Sequence, residues 1–376
     1  MTFREKLSLV WNNLQFTLFP DLVKRTHELC PEYKKLVSIL ELVRIESYLS
    51  ESFRLGRPPK DRIAMARSFI AKIVLKLPYT KQLVRHLRQD EQLRVICGWD
   101  RDKKIPSESK FSRAFKEFSI TATPDRTHQA LIKEFYQGEI VGHAIKDSTN
   151  IEVREKAIKK KLSKDRRKEK DKERRRKKAA GEPNLREQQL CEPDLQKMLE
   201  NLPKGCDIGL KKNAQGFHTF WKGYKLHANV DDNGIPLAAI ITSASCNDCE
   251  VAIPLAVKTS KVAVNLYDLM DAAYDYTEIK EHSRSLGHVP IIDKCSRSTD
   301  QKEEKEKEKK RKAILNFQTA EDKRYASRWP KESFNAFYKD YCGGHRIYYR
   351  GHMKVSCHVM FGVLTAAASL LLNFIQ

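Results

Sequence analysis

The sequence predicts a mixed α/β fold in which an all-α N-terminal part precedes a sheet covered by helices. Three observations predict this fold. Between about residues 60 and 140, apolar residues recur at helical spacing. From residue 139 onward, short apolar runs alternate with helical segments, and the turn residues DDNG at 231–234 join two of these runs into a hairpin. This alternation is typical of a mixed sheet with helices packed on it.

The N-terminal helices are predicted from periodicity and capping residues. The segments RIAMARSFIAKIVLKL and TKQLVRHLRQDEQL are two helical stretches separated at Pro78, and GRPPKDR ahead of them marks a boundary. A further helix is predicted in IPSESKFSRAFKEF, with Ser107 or Ser109 as its N-cap. Its basic face carries Lys110, Arg113 and Lys116. We interpret residues 1–138 as a helical DNA-binding domain, although a helical bundle with ordinary solvated charges fits the same pattern.

The second part, residues 139–376, is predicted to contain the sheet. EIVGHAIKDST is a β-leaning run that ends at Asp147, and TFWKGYKLHANVDDNGIPLAAIITS forms the hairpin. A helix in DCEVAIPLAVKTS follows, and then a strand-like run in NLYDLMDAAYD that meets Asp271. YTEIKEHSRSLG is a helix and HVPIID another strand. On this interpretation Asp147 ends the first strand and Asp271 ends the fourth.

A basic insertion interrupts this second part at about residues 152–215. Residues 154–178 contain 16 Lys or Arg and 5 Asp or Glu, a net charge of +11. Such a run cannot bury enough apolar surface to fold alone, so we expect a mobile or helical arm that meets nucleic acid. The run QKEEKEKEKKRK at 301–312 has mixed charge and is predicted to be a solvated linker or an exposed helix.

The composition favours an intracellular protein with a polyanionic partner. The 376 residues carry a formal net charge of +22, which favours nucleic acid as the partner. The nine cysteines are scattered and odd in number, so we expect reduced thiols and a cytoplasmic, nucleoid-associated protein. Cys246 and Cys249 form a C-x2-C pair without a second pair, so no zinc is expected. The apolar run at 359–375 is predicted to be a core helix rather than a membrane anchor.

Four residues near the C-terminus form a spaced set: Tyr325, Arg328, Glu332 and Lys339, with the spacing Y-x2-R-x3-E-x6-K. On one helix these residues would share a face, and a carboxylate would lie among cations and an aromatic ring. The set suits a site in which the carboxylate holds a metal and its neighbours bind a phosphate backbone. A surface helix with chance charges is the alternative. Because of Pro330, the helix could also begin near Trp329, which would leave Tyr325 and Arg328 on the segment leading into it.

Asp147, Asp271 and Glu332 come from distant parts of the predicted sheet region. In the absence of a Gly-rich phosphate loop or a Ser or Cys nucleophile motif, three such acids suit two-metal phosphoryl transfer, in which carboxylates bind Mg²⁺. An aspartate at a strand end is, taken alone, more often a turn or capping residue than a ligand. Asp268, three residues before Asp271, is a rival for the second ligand.

At these residues the chain resembles the DDE transposases of bacterial insertion sequences. The set of four matches the Tyr-Arg-Glu-Lys signature of that group, and GHAIKDST, DLMDAAYD and the central hairpin are similar to further family motifs. GRPPKDRIAMARSFIAKIVLKL through RHLRQDEQLRVICGWD resembles the helical N-terminal domain, and GGHRIYYRGHMKVSCHVMFGVLTAAASLLL resembles the C-terminal segment. These blocks keep the order of the family and cover most of residues 57–373.

The resemblance implies a ribonuclease-H-like catalytic core. It implies that Asp147, Asp271 and Glu332 bind two Mg²⁺ ions, for which Mn²⁺ can substitute, and that Tyr325, Arg328 and Lys339 contact the DNA backbone. It favours Asp271 over Asp268, because the AAYD that directly follows Asp271 matches the motif of the family. The chain departs from many related sequences at Ser333 and Phe337, where basic residues are common.

The expected function is that of a transposase. Such a protein binds the terminal inverted repeats of its element, frees a 3′-OH by phosphodiester hydrolysis and joins that hydroxyl to target DNA. Because two ends must be held together, we expect a homodimer in a synaptic complex. Two alternatives remain open, a repurposed DNA-binding protein without catalysis and a nuclease that cuts without joining.

Overall fold

The N-terminal part of the described chain is helical. The computed structural model describes residues 29–49, 61–99, 104–158, 179–212, 215–294 and 299–373, with residues 169, 172, 173 and 176, and gives only the backbone of residues 299–302 and 305. Within these ranges, the helices before the sheet are α1 (Pro31–Val43), α2 (Arg62–Val74), α3 (Thr80–Gln89), α4 (Glu91–Ile96), α5 (Glu108–Ile120) and α6 (Thr123–Phe135), with a 3-10 turn at Ile45–Tyr48. The helices predicted in RIAMARSFIAKIVLKL, TKQLVRHLRQDEQL and IPSESKFSRAFKEF are therefore present as α2, as α3 with α4, and as α5. The predicted boundary at GRPPKDR lies mostly outside the described residues.

The sheet has the mixed order expected of a ribonuclease-H-like core. Its strands are β1 (Ile140–Val153), β2 (Asp207–Lys212), β3 (His218–Val230), β4 (Pro236–Ser243), β5 (Val264–Met270), β6 (Val289–Ile292) and β7 (Arg346–Ile347). β4, β3, β1, β5 and β6 lie side by side in that order. β3 is antiparallel to β1 and to β4, whereas β5 is parallel to β1 and to β6. The α/β class and the predicted hairpin are confirmed.

Two strand predictions need correction. Asp147 does not end the first strand, because β1 continues to Val153 and pairs with β3 and β7 on the way. The continuation is explained by the β-branched residues Thr149, Ile151 and Val153, which favour a strand and are buried. Asp271 follows the fifth strand in chain order, because β2 within the insertion was not predicted.

The insertion is partly folded. Besides β2, it contributes two short helices, α7 (Leu185–Cys191) and α8 (Leu195–Glu200). Leu202 of the insertion packs in a small apolar cluster with Ala238 and Ile240 of β4. Most of the basic arm predicted at residues 154–178 lies outside the described residues.

The helices of the second part follow the predicted order. α9 (Ala252–Ser260) and α10 (Thr277–Ser285) flank β5, and α11 (Thr299–Ile314) contains the run of mixed charge at 301–312. The described side chains of this run are almost all exposed, which confirms the exposed-helix prediction. α12 (Ala320–Ala326) and α13 (Trp329–Tyr341) follow.

The last helix, α14 (His352–Leu372), joins the two parts of the molecule. It is long and apolar enough to cross a membrane, but 89% of its most apolar stretch is buried within the protein, as predicted for a core helix. It packs against α1, α2, α5 and α6 and against β4. One continuous cluster of buried apolar residues therefore extends from the N-terminal helices through α14 to the sheet.

Candidate active site

Asp147 lies in the middle of β1 and contacts α13. Its carboxylate accepts a hydrogen bond from Asn335 Nδ2 at 3.1 Å and lies 3.4 Å from Lys331 Nζ. Lys331 and Asn335 are four residues apart, so they lie on the same face of α13. The carboxylate is 23% exposed. Asp147 is therefore reachable from solvent but lies beneath a helix that supplies both a cation and an amide.

Asp271 lies directly after β5, at the carboxyl end of the strand. Its side chain accepts a hydrogen bond from the backbone N–H of Ala273 at 2.9 Å and so caps a 3-10 turn at Ala272–Tyr274. Its carboxylate is 37% exposed and lies 4.0 Å from Arg328 Nη2. The capping contact uses one oxygen, so the carboxylate keeps further acceptor capacity toward solvent.

Asp268, the rival for the second ligand, is a buried structural residue. Its carboxylate is 2.5 Å from Lys146 Nζ and accepts hydrogen bonds from Ser283 at 2.5 Å and from His288 at 3.2 Å. Burial alone would raise the pKa of Asp268, but Lys146 and the hydrogen-bond donors hold it well below its usual value. A carboxylate fully occupied in this way has no room for a ligand.

Asp147 and Asp271 lie next to each other. Ile145 of β1 is paired with Leu269 of the parallel strand β5, so two residues further along the register places 147 beside 271 on the same face of the sheet. Burial raises the pKa of Asp147, and the negative charge of Asp271 acts in the same direction, while Lys331 opposes them. The two carboxylates therefore repel each other, and the cations Lys331 and Arg328 partly compensate their charge.

Tyr325 and Arg328 lie beside Asp271 but not on the helix that carries Glu332. Tyr325 is on α12, and Arg328 is the residue before α13. The Arg328 guanidinium stacks on the Tyr325 ring, 4.6 Å from its centroid, and hydrogen-bonds the Tyr325 hydroxyl. Arg328 Nε is buried and has no hydrogen-bond partner in the part of the chain that the structure describes. The expectation of one helix with one shared face is thus wrong, whereas the predicted helix start near Trp329 is confirmed.

Glu332 and Lys339 are both on α13, but their side chains point in different directions. Glu332 is exposed, and among the described residues it makes no hydrogen bond or ion pair. Lys339 donates a hydrogen bond to Asn150 of β1 at 2.6 Å. Lys331, Asn335 and Lys339 form the stripe that faces β1, and Glu332 lies about 100° around the helix from Lys331. The structure therefore brings Asp147 and Asp271 together and does not bring Glu332 to them.

Sequence reasoning missed three residues at this site. Lys331 and Asn335 contact Asp147, and their spacing with Lys339 at four-residue intervals was the available signal. The third is Tyr274, a fully buried residue whose hydroxyl lacks a hydrogen-bond partner among the described residues. Its pKa is raised well above the usual value by burial and by the charges of Asp248, Asp147 and Asp271. No local pattern could have indicated this, because the tyrosine meets these acids only in the folded chain.

The donors at this site suit a hard cation, but the set is incomplete in this conformation. Asp147 and Asp271 offer carboxylate oxygens, the ligands that Mg²⁺ and Mn²⁺ prefer. Within the described ranges, however, no group of three or more His, Cys, Asp or Glu side chains is arranged to hold a metal ion. A complete three-carboxylate site would require Glu332 to replace Lys331 beside Asp147.

Comparison with known families identifies the family to which the chain belongs. The family model for the Transposase DDE domain matches residues 142–368, which is more than half of the chain and extends from within β1 into α14. The model for the Transposase domain (DUF772) matches residues 20–117, the N-terminal helical part. Searches of curated proteins and of solved structures found no match. With its mixed sheet, its helical N-terminal part and these two matches, the chain belongs to the DDE transposase family.

Proposed function

We propose that this transposase binds the terminal inverted repeats of an insertion sequence, hydrolyses a phosphodiester to release a 3′-OH and joins that hydroxyl to target DNA. In the first step water attacks phosphorus and the P–O3′ bond breaks. In the second step the freed 3′-OH attacks a phosphodiester of the target, and a target 3′-oxygen leaves. Both steps are in-line displacements at phosphorus, so one site can serve both.

The observation that carries this proposal is the pair Asp147 and Asp271. The two carboxylates come from neighbouring parallel strands, lie on one face and are both open to solvent. Like charges side by side cost free energy unless a cation is bound between them or beside them. Bound Mg²⁺, or Mn²⁺ in its place, would act as a Lewis acid on the phosphodiester.

Arg328 supports binding of a phosphate at the same place. It lies beside Asp271, its guanidinium is fixed by Tyr325, and its Nε is buried without a partner among the described residues. A guanidinium fixed by stacking is well suited to donate paired hydrogen bonds to a phosphate oxygen. Lys339, seven residues further along α13 from Glu332, would contact the backbone further along the DNA.

We propose Glu332 as the third ligand because its spacing from Tyr325, Arg328 and Lys339 matches the Tyr-Arg-Glu-Lys signature. Because Lys331 contacts Asp147 in this conformation, binding of DNA and metal would need to turn or shift α13 so that Glu332 replaces Lys331. We propose that Lys331 balances the charge of Asp147 in the absence of metal.

We also propose that residues 1–138 recognise the repeats and that residues 139–376 form the catalytic region. The basic residues Lys110, Arg113 and Lys116 are all exposed on α5, where they can meet phosphates. We further propose that two copies hold the two element ends and that the protein acts in the cytoplasm, on the nucleoid.

Strand cleavage and DNA binding measured on the same variants test this proposal. We expect Asp147→Asn and Asp271→Asn to lower Mg²⁺-dependent cleavage of a labelled terminal-repeat duplex at least 100-fold, while the affinity for that duplex changes less than threefold. Glu332→Gln should behave in the same way, and the neighbouring exposed substitution Ser333→Ala serves as its control. Normal cleavage by the aspartate variants would refute the site.

A DNA-binding protein without catalysis is the second candidate. One observation favours it, namely that Lys331 rather than Glu332 contacts Asp147. If the unaltered protein binds the repeats but cuts neither strand with Mg²⁺ or Mn²⁺, this second function is correct. Cleavage without any joined product would instead indicate a nuclease.

A further inference from the structure

The paired strands β2 and β3 extend beyond the rest of the sheet and expose a face that combines apolar, aromatic and basic side chains. Ile208 is 57% exposed, Leu210 54% and Phe220 66%. Lys212, His218 and Lys222 are also exposed. The register pairs Ile208 with Lys222, Leu210 with Phe220 and Lys212 with His218. Directly paired residues lie on the same side of a sheet, so these six residues form one surface, which we call the hairpin face.

The hairpin face lies on the same side of the sheet as Asp147. Asp147 is paired with Ala228 of β3, and alternate residues of a strand share a face, so Lys222, Phe220 and His218 continue the face of Ala228. At about 3.3 Å per residue, Lys222 is about 20 Å and His218 about 33 Å along β3 from the catalytic position. DNA with a rise of about 3.4 Å per base pair would cover these distances in about 6 to 10 base pairs.

The side of β2 and β3 opposite the hairpin face is closely packed. Trp221 lies on Gly209, where a Cβ atom would be 2.2 Å from the indole ring. Trp221 Nε1 also donates a hydrogen bond to the backbone oxygen of Tyr224 at 3.1 Å. At Gly223 β3 passes so close to β1 that a Cβ would lie 2.0 Å from the oxygen of Ile151. The exposed Phe220 therefore lies on a pair of strands that these contacts hold together.

The charges identify the occupant as DNA rather than a second copy of the chain. The hairpin face has two lysines and no acid. Lys212 and Lys222 thus add positive charge to the side of the sheet that carries Asp147, where Arg328 already lies beside Asp271. A chain with a net charge of +22 would repel its own copy at such a surface.

We propose that the hairpin face binds duplex DNA about 6 to 10 base pairs from the cleaved phosphate. Lys212 and Lys222 contact phosphates, and Phe220 packs against a sugar or the face of an unstacked base. This inference rests on the proposed function for the position of the cleaved phosphate. It assigns a DNA contact to β2 and β3 that neither the aspartate pair nor the N-terminal helices provide.

Binding to duplexes of different length tests the proposal. The full chain is titrated, in EDTA to prevent cleavage, with a terminal-repeat duplex extending 15 base pairs on both sides of the cleavage site, and with two duplexes trimmed to 4 base pairs on one side or the other. On the long duplex we expect Lys222→Glu to weaken binding about tenfold and to reduce the salt dependence by about one or two released ions. Phe220→Ala should weaken it about fivefold or more.

The decisive result is that, on one of the two trimmed duplexes, Lys222→Glu and Phe220→Ala bind as well as the unaltered protein. The trimmed side shows whether the hairpin face binds the element end or the flanking and target DNA. Two matched controls should bind all duplexes normally: Lys261→Glu, an exposed lysine at the end of α9 on the other side of the sheet, and Ile140→Ala, which like Phe220 is 66% exposed.

Other results would overturn the proposal. Equal losses on all three duplexes would indicate a general charge or folding effect, and circular dichroism of each variant identifies misfolding. Unchanged binding together with loss of dimers in sedimentation would assign the hairpin face to a second copy. Cleavage of the long duplex with Mg²⁺ separates the two proposals. If cleavage depends on Asp147 and Asp271 but the hairpin variants bind normally, only the present inference fails.

Discussion

At the residue scale, two aspartates at the end of β5 have opposite surroundings. Asp268 is 1% exposed and ion-paired with Lys146, whereas Asp271 is open to solvent beside Arg328. We expect Asp268→Asn to lower the free energy of unfolding by about 3 to 5 kcal/mol, because Lys146 would remain buried without its partner. Asp271→Asn should change it by less than about 1 kcal/mol, since asparagine also caps a turn.

Urea unfolding of the two variants, followed by circular dichroism, measures this difference. The unaltered protein is the reference, and cleavage by the folded fraction is measured in parallel. If Asp271→Asn were as destabilising as Asp268→Asn, Asp271 would be a structural residue and its assignment as a ligand would lose its support.

Lys72 of α2 gives a prediction about pH. Its side chain is 1% exposed, lies over the Tyr349 ring at 5.3 Å and has no hydrogen-bond partner in the described chain. Burial lowers the pKa of Lys72 to about 8. Because the unfolded chain holds this proton more tightly, stability should rise as the pH increases from about 8 to 10.5.

Lys72→Met removes this dependence. At pH 7 we expect the variant to be more stable by at most about 3 kcal/mol, because no charge is buried. The difference from the unaltered protein should shrink at pH 9.5, and urea unfolding at both pH values measures it. A difference that is the same at pH 7 and pH 9.5 would show that Lys72 does not titrate in this range.

At the element scale, the position of α13 depends on its contact with α14. A Cβ on Gly362 of α14 would lie 2.6 Å from the backbone oxygen of Cys342 and 2.8 Å from the Tyr338 ring. Gly362→Ala must therefore push α13 away, with a cost of about 1 to 3 kcal/mol. Since α13 carries Lys331, Asn335 and Glu332, we expect cleavage to fall at least tenfold while DNA binding is kept.

A core substitution that leaves α13 in place is the control. Leu364 is fully buried and lies about 200° around α14 from Gly362. Leu364→Ala should cost about 2 to 5 kcal/mol of stability but leave the cleavage rate of the folded fraction unchanged. Equal cleavage by both variants would mean that the close approach of α13 and α14 does not position the site.

Most elements of this fold could be predicted because their signals are local. The DDNG turn and the apolar runs beside it predict β3 and β4, and helical periodicity predicts α2, α5 and α10. β2 was missed because DIGLKK is short and its partner strand, not its own sequence, makes it a strand. The contacts of Asp147 with Lys331 and Asn335 depend on how α13 packs on β1, which no local pattern determines.

Packing also explains why Phe337 stands where related sequences often have a basic residue. Phe337 stacks on Tyr341 and lies near Lys35 of α1, so a basic residue there would lose packing.

At the scale of the whole molecule, the helical part and the sheet share one core. α14, the last helix of the chain, packs against α1, α2, α5 and α6 and against β4. The sequence predicted a core helix there but gave no indication of its partners, because contacts between residues 300 positions apart leave no periodic signal. The division into residues 1–138 and 139–376 stays a prediction.

The central claim for the whole molecule is that Asp147 and Asp271 bind the metal ions used for DNA cleavage. The most direct test replaces Asp271 by cysteine, because a thiolate binds the harder Mg²⁺ poorly and accepts Mn²⁺ more readily. Cleavage of the terminal-repeat duplex by Asp271→Cys is measured in each metal, with Asp271→Ala as the control. We expect Asp271→Cys to be inactive with Mg²⁺ and to recover measurable cleavage with Mn²⁺, and Asp271→Ala to be inactive with both. Full activity of Asp271→Cys in Mg²⁺, or of Asp271→Ala in either metal, would contradict the claim.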